Sequence, residues 1–97
     1  MKIEAFESSL ETSEAPPEGL SDELKALWHD GKGDWEKAHE LAQTAGSRDG
    51  DWVHAYLHRV EGDLSNASYW YHRSGNPRYE GTLKDEWRSI VQELLSR

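Results

Sequence analysis

Residues 26–46 read ALWHDGKGDWEKAHELAQTAG and residues 55–75 read AYLHRVEGDLSNASYWYHRSG, and the two align without a gap at an offset of 29. Identical pairs are Ala26/Ala55, His29/His58, Gly33/Gly62, Asp34/Asp63, Ala38/Ala67 and Gly46/Gly75. Most of these residue types have a clear task in a helical hairpin. Glycine tolerates the left-handed backbone of a helix stop, and aspartate after the first stop caps the next helix. Alanine lets two helices approach closely, so Ala38 and Ala67 are expected at the crossing within each hairpin. The apolar stripes match as well: Leu24, Leu27, Trp28 and Gly31 correspond to Val53, Tyr56, Leu57 and Val60, and Trp35, Ala38, Ala42 and Ala45 to Leu64, Ala67, Tyr71 and Ser74. The segment is a twofold repeat of a helical hairpin.

Working outward, the punctuation predicts five principal helices. The first follows Ser21 as N-cap and ends near Gly31-Lys32-Gly33. The second runs from the Asp34 cap to Ala45. Ser47 to Gly50 reads as a turn, and the third helix covers Asp51 to Glu61. The fourth lies between the Asp63 cap and Ser74. The fifth follows Thr82, and its apolar stripe of Leu83, Trp87, Ile90, Val91, Leu94 and Leu95 predicts a cap on the end of the second hairpin. Ahead of the repeat, Ile3, Phe6 and Leu10 would give a short amphipathic turn over residues 3–11, with Thr12 to Gly19, including Pro16-Pro17, as a linker. Only eight residues are Val, Ile or Thr and none of them alternate in a strand pattern, so the fold class is all-α.

Composition places a limit on the core. Leu, Ile, Val and Phe together number 16 of 97 residues, and the net charge is -8, close to the balance of chains that stay disordered. Five Trp and four Tyr supply the missing apolar area. Charge is uneven: residues 1–23 carry a net of -6 and the other 74 a net of -2. The chain therefore divides into an acidic arm and linker, 1–20, and one helical-repeat domain, 21–97. An exposed apolar face on so short a repeat would need a cover, so the arm is expected to dock, on its own body or on a second copy. No basic patch exists to neutralise phosphates, which excludes nucleic acid as the expected partner. No apolar run reaches the length of a membrane span or a signal segment. With no cysteine in the chain, the expected compartment is the cytoplasm and Asn66-Ala67-Ser68 is a chance sequon.

Ala26 and Ala55, then Gly33-Asp34-Trp35 and Gly62-Asp63-Leu64, then Ala38 and Ala67, with Trp70-Tyr71-His72-Arg73 closing the second unit, resemble the tetratricopeptide class and its Sel-type relatives over residues 21–75. The period of 29 is shorter than the usual ~34, and there are two units. GDWEKAHELAQ and DWVHAYLHRVEGD also resemble stretches of a small bacterial family without assigned function. The tetratricopeptide resemblance implies a concave face that takes an extended peptide, with Trp52, Tyr56 and Arg59 pointing into it; Asp30 joins them as a candidate binding residue. It also implies that His29 and His58 face the second helix of their own hairpins.

Two function classes follow. The first is a non-enzymatic interaction or assembly protein that binds a protein segment or itself as a homodimer, with no cofactor and no catalytic residue. The alternative is a small-molecule or metal-binding protein, extending to a hydrolase, built on the His/Trp/Arg cluster. There His54 and His58, spaced i, i+4, and His29 would hold a divalent metal. Ala55 follows His54 where a zincin needs Glu, and Gly31-Lys32-Gly33 is a helix stop, with neither the strand nor the full pattern of a phosphate loop.

Overall fold

The computed structural model describes residues 1–97 and is entirely helical. Its elements are α1 (Ile3–Thr12), α2 (Asp22–Gly31), α3 (Trp35–Thr44), α4 (Arg48–Val60), α5 (Leu64–Ser74) and α6 (Leu83–Leu95). None of these helices is long and apolar enough to cross a membrane.

All the helices but α1 start where a short polar side chain satisfies a free backbone N–H. Ser21 accepts from Leu24, Asp34 from Lys37, Asp63 from Asn66 and Thr82 from Asp85. Gly33 and Gly62 hold φ of 86° and 84° in the turns before α3 and α5. That is the left-handed region, where a β-carbon costs about 1–2 kcal/mol. α2 packs along α3, and α4 along α5. Ala38 and Ala67 are both buried, Ala67 in a cluster with Ala55 and Tyr71.

Two boundaries differ from the sequence reading. α4 begins at Arg48, not Asp51, because the Ser47 hydroxyl accepts from the Gly50 N–H at 2.9 Å and turns the expected loop into a first helical turn. Asp49 and Asp51 then sit in the positive end of that helix. Residues 3–12 form a full helix, so there are six helices, not five.

The largest difference concerns α6. It lies across α1, α2 and α4 and does not pack along α5, so it is no cap on the end of the second pair. Its stripe needs an apolar floor, and Leu24, Leu27, Trp28, Val53, Tyr56 and Leu57 of α2 and α4 provide one. Leu64 and Tyr69 of α5 remain exposed. Trp87 makes the seat specific, its indole N–H donating to the Leu27 carbonyl at 2.9 Å inside the core.

The acidic N-terminal segment joins the same core. Ile3 and Phe6 are buried, and the Phe6 ring lies 5.7 Å from that of Trp87. Three polar contacts fix its position: the Trp28 indole donates to Ser9 Oγ at 2.9 Å, Lys32 Nζ donates to the carbonyls of Leu10 and Ser13, and Arg88 grips Glu7 with two bonds. Lys32 thus serves as a C-terminal cap for α1 from another helix.

Candidate functional site

α4 separates two groups of polar side chains. On the side facing α2 and α6, the Tyr56 hydroxyl donates to Asp30 Oδ2 at 3.1 Å. Arg59 donates to Glu86 Oε1 at 2.9 Å and to the Gly81 carbonyl, and the Tyr71 hydroxyl donates to the other Glu86 oxygen. Burial raises the Asp30 carboxyl above its ordinary value. Burial, then the neighbouring Asp30 charge, raises the Tyr56 hydroxyl far above its own. Tyr56 and Arg59, expected to meet a peptide, are thus engaged inside the molecule, Tyr56 with Asp30 and Arg59 with α6. Trp52 is half-buried and lines an open depression with Tyr79, Asp85 and Arg88.

The other side of α4 carries imidazoles. His54 and His58 are buried one turn apart on α4, and α3 brings His39 against them. The ring centroids are 4.5 Å apart for His39 and His54, 4.7 Å for His54 and His58, and 5.3 Å for His39 and His58. One coordinating nitrogen of each lies within 4.8 Å of the others. His39 Nε2 and His54 Nε2 are 2.9 Å apart and share a single proton. Indoles brace both outer rings, Trp35 stacking on His39 at 4.7 Å and Trp70 on His54 at 3.9 Å. The Trp35 N–H is itself fixed on the Leu57 carbonyl at 2.8 Å.

Protonation states follow from the contacts. His58 Nδ1 is 2.6 Å from Glu61 Oε1, and an ionised carboxylate only accepts, so Nδ1 carries the proton of that bond and Nε2 is the nitrogen left for another partner. Burial, then the proximity of His39 and His58, lowers His54 to about 4. Burial lowers His39 too, with His58 as the next cause. Near neutral pH His54 is therefore uncharged, the form in which imidazole ligates metals.

His29 is not part of this group, although it is the repeat counterpart of His58. It sits edge-on to Trp28 at 5.2 Å. The group combines α4 with α3 of the preceding pair, and α2 has no preceding pair to supply an equivalent helix. At the 29-residue offset the counterparts of His39 and His54 are Ser68 and Lys25, so the repeat itself did not point to them. The available signal was a shared spacing: Trp35 and His39, like His54 and His58, stand i, i+4 on one helix face.

Comparison of the chain with protein-family models, with curated proteins and with solved structures finds no match.

Proposed function

We propose that the chain is a small tetratricopeptide-like interaction protein, two 29-residue hairpins that work by accepting an amphipathic helix, with a protein segment or a second copy as partner. The observation that supports this reading is the seat of α6. An amphipathic helix laid across the inner helices of a repeat is the helix-in-groove mode of peptide recognition, and here the occupant belongs to the chain itself. The residues that hold it, Arg59 and Tyr71 on Glu86 and the Leu27 carbonyl on Trp87, are the ones an incoming helix would use.

The reading is tested by loosening the resident helix. A labelled peptide of residues 82–97 should bind saturably to the full chain carrying Glu86→Ala, and much more weakly to the unaltered chain. Light scattering on the same variant asks whether a second copy fills the groove. A variant that stays folded, monomeric and indifferent to the peptide counts against the proposal. A second reading, a divalent-metal site, is favoured by the imidazole group on the opposite side of α4.

A further inference from the structure

We propose that His39, His54 and His58 form a binding site for one divalent first-row transition ion, at the junction of the two helix pairs. This goes beyond the helix-accepting role and stands independently of it. The donors come from separate elements: His39 from α3 of the first pair, His54 and His58 from α4 of the second. A tetrahedral ion with nitrogen bonds of ~2.0–2.1 Å holds its ligand atoms roughly 3.3 Å apart. The Nε2 atoms of His39 and His54 already face one another at 2.9 Å, so replacing their shared proton by an ion requires only a few tenths of an ångström of opening. The third nitrogen is within 4.8 Å, so completing the set takes a shift of at most about 1.5 Å at that ring.

The surroundings are those that tune a metal ligand. His58 Nδ1 lies 2.6 Å from Glu61 Oε1, the carboxylate–histidine arrangement that orients a ligating ring. Trp35 and Trp70 restrict the rotation of His39 and His54. His54 and His58 are buried while His39 is half-exposed, which leaves a way in from the α3 side. Nitrogen donors with neither thiolate nor ligating carboxylate select zinc, nickel, copper(II) or cobalt over magnesium and calcium. Three protein nitrogens leave a four-coordinate ion one further position for water or another ligand. Because the ion would bridge α3 and α4, binding also ties one helix pair to the other.

Zinc titrated calorimetrically into the full, chelator-stripped chain at neutral pH should bind at one ion per chain and raise the melting temperature. In the nuclear magnetic resonance spectrum of the unaltered chain, the imidazole Cε1–H signals of His39, His54 and His58 should move together, while those of His29 and His72 stay in place. His39→Ala should abolish the saturable heat, and Glu61→Gln should weaken affinity on the order of 10–100-fold at unchanged stoichiometry. His72→Ala should change nothing. The proposal is overturned if zinc produces no saturable uptake, if the shifted signals are those of His29 or His72, or if a folded His39→Ala chain binds as before. Should His39→Ala fail to fold, the spectrum of the unaltered chain decides alone.

Discussion

Glu86 stands on the buried side of α6 with about 1% of its surface exposed, where the helix stripe would otherwise offer another apolar residue. Its carboxylate takes Arg59 on one oxygen and the Tyr71 hydroxyl on the other. Glu86→Ala strips both partners at once and should cost about 3 kcal/mol, as breaking a buried ion pair does. Glu86→Gln retains an acceptor for Tyr71 and should cost clearly less; urea unfolding of the two variants checks the order. The position was legible and the residue type concealed it. Glu86 lies three residues after Leu83 and four before Ile90, on the stripe, yet a charged residue there reads as solvated until its partners on α4 and α5 are known.

His54 adds a pH dependence at the same scale. Its folded value of about 4 lies below the ordinary 6.5, so its contribution is fully present above 6.5 and lost as pH falls through that window. The integrated loss is on the order of 3 kcal/mol, and the lowered His39 acts in the same direction. Asp30, raised by burial, acts in the opposite direction. Between pH 7 and 5 most carboxylates stay ionised, so a falling urea midpoint there, in chelator, reports the imidazoles. His54→Gln should flatten that fall, and a curve of unchanged slope would refute the assignment.

The four caps expected from sequence at Ser21, Asp34, Asp63 and Thr82 are all made, because a cap is a local contact between a side chain and an N–H three residues on. The start of α4 was not legible: Gly50 next to Asp49 and Asp51 has the composition of a turn, and only the close approach of α3 shows why glycine is needed inside a helix. A β-carbon at Gly50 would lie 3.0 Å from the Ala42 carbonyl oxygen and 2.9 Å from the Ala45 methyl. Gly50→Ala should therefore destabilise by about 1–3 kcal/mol, despite a helix-propensity gain of about 1 kcal/mol. An unchanged or raised melting temperature would mean that α3 and α4 can part freely. The burial of α6 was likewise readable from its stripe, but not its seat, since an amphipathic pattern says that a face is covered and not by what. The imidazole group was legible only in part: the i, i+4 spacing of His54 and His58 marked two of its members, but His29 stood where His39 belongs, because His39 meets His54 only once α3 and α4 are phased against one another.

For the molecule as a whole, one core of fifteen buried residues draws on every helix but α5, and it includes Ile3 and Phe6 from the acidic segment. Phe6 is fully buried against Trp87. Phe6→Ala should cost about 3–5 kcal/mol and lower the melting temperature by more than about 10 °C, which a small domain of ordinary stability scarcely survives. A modest shift would mean that the segment rests on the surface. Charge had set residues 1–20 apart on paper, while the packing of Ile3 and Phe6 ties the segment to the body, where Arg88 pairs with Glu7 and Lys32 holds the carbonyls of Leu10 and Ser13.

The closeness of α1 to α6 bears on how the chain finds its fold. Met1 to Glu4 and Gln92, Leu95 and Ser96 line one shallow hollow, so the segment before α1 and the last turn of α6 meet. The contacts between them, Glu7 with Arg88 among them, close loops spanning almost the whole chain, and such closures slow folding. Joining residue 97 to residue 1 through a short Gly/Ser bridge, with new ends opened between Asn76 and Arg78, would make α6 the first element. Its pairing with α1 would then be that of a local hairpin, and its contacts with α2 would span roughly two-thirds of their present separation. Those with α4 would lengthen, by more than the α2 contacts shorten but by less than the α1 contacts do. The rearranged chain should reach the same fold in fewer milliseconds, and the refolding limb of its chevron would register the difference.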